Sequence, residues 1–113
     1  KEGQDDRAEQ LLLKAIPLNP RRSEGYSNLA LLEMHRGNYQ KALEILEKAL
    51  RISTRIDFQT YLNLGLVHEK LGNYSEALKY LRLSRKINPM SAADQHIRRI
   101  GKKLESQKRS ESK

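Results

Sequence analysis

Few side chains in this 113-residue chain could carry out chemistry, and its three histidines are the first candidates. His35, His68 and His96 lie far apart in the sequence, and none has a partner ligand four residues away on the same side of a helix. Cysteine is absent, and so are a glycine-rich phosphate loop and the His-Glu-x-x-His and Gly-x-Ser-x-Gly motifs. The sequence therefore predicts a protein that is not an enzyme and that has no metal or other cofactor.

The net charge of +8 is the second feature that could recruit a ligand, and it is unevenly distributed. From Arg98 to Lys113 there are seven basic and two acidic residues, whereas the charges of the preceding part are nearly balanced. Nucleic-acid binding through this stretch is one alternative, but no aromatic residue is present there to stack on bases. We interpret it instead as a solvated helix and tail, whose candidate contact residues are Arg98, Arg99, Lys102, Lys103, Lys108 and Arg109.

An internal repeat organises the rest of the chain. Gly37-Asn38-Tyr39 recurs 35 residues later as Gly72-Asn73-Tyr74, and Asn19-Pro20 recurs as Asn88-Pro89. Within each unit the apolar residues follow the i, i+3, i+4, i+7 spacing of an amphipathic helix. The sequence therefore predicts two helices in each unit, arranged as a hairpin.

The Gly-Asn pairs at 37–38 and 72–73 predict the turn within each hairpin. Glycine suits the left-handed residue that ends the first helix. Asparagine suits the N-cap of the second helix, where its side-chain oxygen would accept a hydrogen bond from free backbone amides. Asn-Pro predicts the end of a hairpin, because proline cannot extend a helix.

The repeated positions resemble the tetratricopeptide repeat family over most of the chain, from about residue 8 to residue 89. The matching residues are Tyr26, Leu29, Ala30, Gly37, Tyr39, Ala42, Leu46 and Ala49, and then Tyr61, Leu64, Gly65, Gly72, Tyr74, Ala77, Leu81, Ser84 and Pro89. The resemblance implies an all-α fold, a right-handed solenoid of helical hairpins, and a non-catalytic role as an adaptor or scaffold that binds other proteins.

On this basis the chain is a single domain with about six helices. Residues 5–20 would be the second helix of a partial repeat, 23–54 and 58–89 two complete repeats, 91–105 a capping helix and 106–113 a disordered basic tail. The partial hairpin suggests a window on a longer array, and it leaves self-association by end-to-end stacking of repeats as another alternative. No apolar run is long enough to span a membrane, and no targeting pattern opens the sequence, so a cytoplasmic location is only the default expectation.

In resembling proteins the first helices of successive hairpins line a concave groove that binds a peptide or a helix of a partner. Helix geometry places these residues on the groove side: Ser27, Asn28, Leu31 and His35 in the first repeat, and Leu62, Asn63, Leu66 and Lys70 in the second. Asn28 and Asn63 are the main candidates, because an amide offers a peptide backbone both a donor and an acceptor. The alternatives are an intra-repeat hydrogen bond for the amides and packing between adjacent helices for the leucines.

Two further expectations concern polar groups. Glu33 and His68 occupy equivalent inward positions of neighbouring repeats, where they would either share a buried hydrogen bond or remain partly exposed at independent sites. In members of the family that bind chaperones, basic residues of a third first-type helix hold a C-terminal carboxylate. If the repeat register continues, Ala93 and Ile97 stand at those positions here, which predicts poor binding of an acidic chaperone tail.

Overall fold

The structure, a computed structural model, describes residues 2–16 and 22–111, which form six α-helices and no strand. The helices are α1 (Glu2–Ala15), α2 (Glu24–His35), α3 (Tyr39–Ile52), α4 (Phe58–Lys70), α5 (Tyr74–Ile87) and α6 (Ala93–Glu111). Among these helices, none has the length and apolar content that crossing a membrane requires. The predicted all-α arrangement of helical hairpins is confirmed.

Short turns join α2 to α3 and α4 to α5, so each of these pairs forms an antiparallel hairpin. Gly37 and Gly72 end the first helices with φ angles of 82° and 83°, the left-handed conformation that glycine adopts without strain. Asn38 and Asn73 stand at the predicted N-cap positions, but neither side chain caps its helix, so that part of the prediction was wrong. Each amide group is instead directed back towards the preceding helix of its own hairpin.

Two apolar clusters hold the helices together. The first joins the hairpin α2–α3 to α4 through Ala30, Ala42, Leu43, Leu46, Leu64 and Val67. The second joins the hairpin α4–α5 to α6 through Leu62, Ala77, Leu81, Ala93 and Ile100. Gly65 allows α4 and α5 to approach closely, since a Cβ atom there would lie 2.5 Å from Cγ of Leu81.

The helix α1 packs against α2. Arg36 at the C-cap of α2 binds the carboxylates of Asp6 at 2.8 Å and Glu9 at 3.0 Å, and so fastens the two helices. The helix begins at Glu2 and ends at Ala15 rather than covering residues 5–20, of which 17–20 lie outside the described residues together with the Asn19-Pro20 signal.

The helix α6 covers the open side of the second hairpin and is longer than predicted. Residues 106–111 continue it to Glu111, so the prediction of a disordered tail was wrong for these residues, and 112–113 lie outside the described part. The physical reason is that Lys, Gln, Arg and Glu have high helix propensity and readily extend a helix that packing has already nucleated.

The register of α6 also differs from the predicted one. Its inward residues Ala93, Ile97 and Ile100 follow the inward residues Thr60, Leu64 and Val67 of α4 at an interval of 33 residues. The repeat interval of 34 or 35 residues therefore does not continue into α6. Ala93 and Ile97 face the second apolar cluster. Different residues of α6 therefore lie beside the exposed side of α4.

The three first-type helices, α2, α4 and α6, all begin at the edge of the molecule where α3 and α5 end. We call this the loop edge; it comprises Arg22 and Ser23 with residues 51–57 and 85–92. The Oγ of Ser23 donates to Oδ1 of Asp57 at 3.0 Å, and the same Oδ1 accepts the backbone N–H of Thr60 at 3.0 Å. Asp57 therefore caps α4 and ties its first turn to the first turn of α2.

Candidate functional site

One side of α2 carries a continuous exposed stripe. Glu24, Asn28 and His35 are exposed and Leu31 is half-buried. The intervals of four, three and four residues between consecutive members place all four on one side of the helix. This is the side on which the sequence predicted groove residues, and it combines a carboxylate, an amide, an apolar side chain and an imidazole.

The matching stripe on α4 lies 35 residues later in the sequence. Gln59 and Leu66 are half-buried there and Lys70 is exposed. We call the two stripes, together with Arg99 and Lys103 on the flank of α6 that adjoins α4, the groove face. Glu24 and Gln59 were not among the predicted residues, although their position four residues before Asn28 and Asn63 could have indicated them.

Asn63 is not an exposed groove residue, because its side chain is only 1% exposed. Its Nδ2 donates to Oγ and to the backbone oxygen of Ser27, at 2.9 Å and 3.1 Å, and its Oδ1 accepts from Nε2 of Gln59 at 3.1 Å. Ser27 is buried by the same contact. The amide therefore joins α4 to α2 across two repeats, and the predicted binding role of Ser27 and Asn63 is corrected to a structural one.

The predicted leucines divide in the same way. Leu62 is 8% exposed and belongs to the second apolar cluster, so it is a core residue and not a contact residue. Leu31 and Leu66 remain half-buried on the groove face, where they can contribute apolar contact area. Burial against a helix neighbour, which was the alternative interpretation, thus holds fully for Leu62 and in part for the other two.

The flank of α6 that faces α4 is basic. Arg99 binds Glu69 with two hydrogen bonds, from Nε at 2.8 Å and from Nη2 at 2.6 Å, and Nζ of Lys103 lies 3.3 Å from the same carboxylate. Burial alone would raise the pKa of Glu69, but the hydrogen bonds from Arg99 and Lys103 outweigh it and lower that pKa below its ordinary value. Glu69 is therefore ionised at neutral pH and neutralises only part of the positive charge around it.

This arrangement removes the reason for which an acidic chaperone tail was predicted to bind poorly, namely the lack of basic residues at the predicted groove positions of the third first-type helix. The positions of α6 that adjoin the groove face are held by Arg99 and Lys103, because Ala93 and Ile97 face the core. Lys70 on α4 is exposed at the same end of the face. The third first-type helix thus does supply cations to the groove face, at positions that a continued repeat register does not identify.

The remaining basic candidates are dispersed around α6. Arg98, Lys102, Lys108 and Arg109 are exposed, and Lys103 also lies 5.5 Å from the ring centroid of Tyr74. Arg99 and Lys103, two of the six residues predicted as candidates for nucleic-acid contact, are engaged with the carboxylate of Glu69. Binding of nucleic acid by this stretch stays an untested alternative.

The histidines do not come together. Within the described residues there is no group of three or more His, Cys, Asp or Glu side chains that could hold a metal ion. His68 stacks on Tyr80 with ring centroids 5.6 Å apart, and its Nδ1 lies 3.3 Å from Nδ2 of Asn73. Glu33 is bound by Arg36 at 2.8 Å and by Asn38 at 2.9 Å, so the proposed hydrogen bond between Glu33 and His68 was wrong.

Comparison with known families agrees with this architecture. The model of the tetratricopeptide repeat family matches residues 21–89, which is more than half of the chain. The chain belongs to the tetratricopeptide repeat family. No curated protein matches its sequence significantly.

Two solved structures resemble most of the chain. The tetratricopeptide repeat domain of Arabidopsis OM64 is similar with a TM-score of 0.76 and 27% identity, over 90% of this chain and 84% of that one. PcrH, solved in complex with the chaperone binding region of PopD, is similar with a TM-score of 0.66 and 18% identity, over 93% of this chain and 79% of that one. The second likeness, at this low identity, concerns the fold alone.

Proposed function

We propose that this tetratricopeptide repeat protein is a non-catalytic interaction module that holds a peptide or a helix of a partner protein on its groove face. The observation that carries the proposal is the alignment of two equivalent stripes, Glu24, Asn28, Leu31 and His35 on α2 beside Gln59, Leu66 and Lys70 on α4. Successive first helices that present the same positions to solvent form a continuous strip along the solenoid. Such a strip suits a linear segment of another protein.

The chemistry of the strip indicates how such a segment would be held. Leu31 and Leu66 offer apolar area at equivalent positions, and the amide of Asn28 can bind a peptide backbone irrespective of the ligand's side chains. Asn63 cannot bind a peptide backbone in the same way, because its donors and its acceptor are engaged with Ser27 and Gln59. We therefore place the ligand contacts on Asn28, Leu31, Leu66 and Lys70.

The distribution of charge along the groove face predicts the orientation of a bound segment. Glu24 stands at the loop-edge end of α2, whereas Lys70 and Arg99 lie near the opposite end of α4 and on α6. Glu69 neutralises one of the neighbouring cations, which leaves a net positive charge at that end. A segment with an acidic residue opposite Lys70 and an apolar residue opposite Leu66 would complement these charges.

The similar fold of PcrH supports the same class of function, since that protein was solved with a region of PopD bound. It does not identify the partner of this chain. The proposal therefore concerns the class of ligand, a linear protein segment, and the surface that binds it.

The test uses random dodecapeptides displayed on phage and selected on the immobilised chain. Enriched peptides are synthesised with a fluorophore, and their affinity is measured by anisotropy for Leu66→Asp, Asn28→Ala and Lys70→Glu. Leu66→Asp is expected to weaken binding at least about tenfold, because it places an unpaired carboxylate against the ligand's apolar contact. Lys48→Glu, an exposed change of the same charge on α3, is the matched control and is expected to keep the affinity.

Retention of affinity in all three groove variants, with their helical circular dichroism unchanged, would contradict the proposal. So would a loss in Lys48→Glu equal to that in Lys70→Glu, because that result would indicate general charge attraction instead of contact with the groove face.

A further inference from the structure

The loop edge exposes apolar side chains at repeating positions. Ile52 and Ile87 are the last residues of α3 and α5, lie 35 residues apart and are 39% and 51% exposed. Met90, in the connection to α6, is 92% exposed. Three large apolar side chains therefore project from one edge of the molecule, away from both apolar clusters.

Basic residues lie on the same edge. Arg51 and Lys86 directly precede Ile52 and Ile87, and Arg55 and Arg22 lie on the adjoining connections; all four are exposed. None of the four forms an ion pair with a residue that the structure describes. Their charges are therefore available to a ligand.

Within the loop edge Asp57 is the one acidic residue beside five basic ones, and Asp94 and Glu24 border the edge. Asp57 accepts hydrogen bonds from Ser23 and Thr60, and Asp94 pairs with Arg85 at 3.1 Å. Glu24 remains exposed at the border of the groove face. The loop edge thus combines a net positive charge with protruding apolar groups.

Arg22 and Arg55 are brought side by side by the fold. Their backbones form an isolated parallel bridge, and both line a cavity of about 180 Å³ together with Ser23, Glu24 and Asp57. Glu24 and Asp57 line the same cavity, so the formal charges of the two arginines are balanced there and the positive charge of the edge comes from Arg51, Arg85 and Lys86.

We propose that the loop edge is a docking surface for an anionic lipid membrane. In this arrangement Ile52, Ile87 and Met90 enter the boundary between headgroups and acyl chains, while Arg51 and Lys86 bind lipid phosphates. A lipid surface fits these features because exposed apolar side chains beside exposed basic residues are the combination that binds an anionic membrane interface. The groove face is a different surface and stays accessible in this orientation.

The experiment is co-sedimentation of the full chain with vesicles of phosphatidylcholine alone and with one-fifth phosphatidylserine. Binding is expected for the anionic vesicles only and is expected to weaken with rising salt. Arg51→Ala with Lys86→Ala should reduce partitioning about 25-fold, since each basic residue near the surface contributes about fivefold. Ile87→Asp with Met90→Asp should reduce it at least about tenfold, because both charges would have to enter an apolar layer.

The matched control is Arg98→Ala with Lys102→Ala, which removes the same charge from exposed positions of α6 outside the loop edge. It is expected to change partitioning less than about threefold. An equal loss in the control and in the edge pair would overturn the proposal, because the attraction would then depend on net charge alone.

Absence of binding to anionic vesicles at low salt would overturn it as well. A synthetic peptide of alternating Glu and Leu serves as a protein probe; if it bound through the edge residues while vesicles did not, the edge would be a protein-docking surface. Leu66→Asp is expected to leave vesicle binding unchanged, so the membrane proposal and the groove proposal fail independently.

Discussion

Asn38 donates a side-chain hydrogen bond of 2.9 Å to the carboxylate of Glu33, five residues earlier in the chain. In the next repeat Asn73 stands in the same relation to His68, with Nδ2 3.3 Å from Nδ1. The asparagine of each turn therefore binds the inward polar residue of the first helix and does not cap the second helix. A recurrent Gly-Asn pair thus fixes the turn by two separate means, the left-handed glycine and the backward-pointing amide.

Replacement of Asn38 by aspartate distinguishes this contact from an N-cap. As an N-cap, aspartate is as good as asparagine, and the free energy of unfolding would hardly change. Beside the buried carboxylate of Glu33 it removes a donor and adds a like charge, so we expect a loss of about 1–3 kcal/mol in urea denaturation. Asn73→Asp is the control, because the imidazole of His68 tolerates a carboxylate neighbour; equal effects of the two changes would contradict the interpretation.

Asn28 and Asn63 are predicted to respond differently to alanine. Asn63→Ala removes three hydrogen bonds of a buried amide and leaves donors and acceptors in α2 and α4 without partners, so we expect a loss of stability of about 1–3 kcal/mol. Asn28→Ala, at an exposed position, should stay within about 0.5 kcal/mol. Thermal or chemical denaturation of both variants measures this difference, and a stable Asn63→Ala protein would show that the contact to Ser27 is dispensable.

Two glycines within helices are expected to have opposite effects when changed to alanine. Gly65→Ala brings a Cβ atom within 2.5 Å of Leu81, so overpacking should destabilise the fold by about 1–3 kcal/mol. Gly101→Ala meets no atom within 4 Å in α6 and should stabilise the protein by up to about 1 kcal/mol through helix propensity. Denaturation midpoints of the two variants give the signs, and a stabilising Gly65→Ala would contradict the close approach of α4 and α5.

Stability is expected to fall below neutral pH because of His68. Burial lowers the pKa of His68 below its ordinary value of 6.5, although the charges of Glu76 and Glu47 oppose this and that of Lys79 adds to it. The unfolded chain therefore takes up a proton at His68 at a higher pH than the folded chain does. The free energy of unfolding then decreases as pH falls below about 6.5, by at most about 1.4 kcal/mol per pH unit for one proton.

His68→Gln should flatten this dependence, since glutamine does not titrate and can still accept from Asn73. Denaturation in urea at several pH values between neutrality and about pH 5 provides the measurement. The pKa of His96 is also lowered, by burial and then by Arg99, so part of the slope is expected to persist in this variant. His35→Gln, at an exposed position, is the control, and an unchanged slope in His68→Gln would refute the assignment.

The hairpins and most of their core could be predicted from the sequence, because the pattern of small and large apolar residues recurs at a nearly constant interval. Ala30 and Gly65, or Leu46 and Leu81, identify each other across the repeat, and both pairs are buried as expected. Gly37 and Gly72 likewise mark the turns, since a left-handed residue has few alternatives to glycine. These features depend on spacing within the sequence, so they can be predicted without knowing which helices pack against each other.

The candidate site was less predictable because its members depend on contacts between repeats. Asn28 and Asn63 are the same residue type at equivalent positions, yet only Asn63 meets a serine of the preceding first helix and becomes buried. The helix α6 lacks the repeated Gly-Asn-Tyr mark, so nothing in the sequence fixed its register. Arg99 was therefore assigned to a basic stretch and not to the groove face that it adjoins through Glu69.

The hydrogen bonds between the two hairpins are concentrated near the beginning of their first helices. Ser23 binds Asp57, and Ser27 binds Asn63, whereas the turns at 36–38 and 71–73 share no hydrogen bond or ion pair among the described residues. Separation of the two hairpins at the turns would therefore break apolar contacts of the first cluster, whereas separation at the loop edge would also break these hydrogen bonds. The polar contacts therefore fix the relative position of α2 and α4 at their first turns, and within the described part of the chain apolar packing alone holds the two hairpins together at the turns.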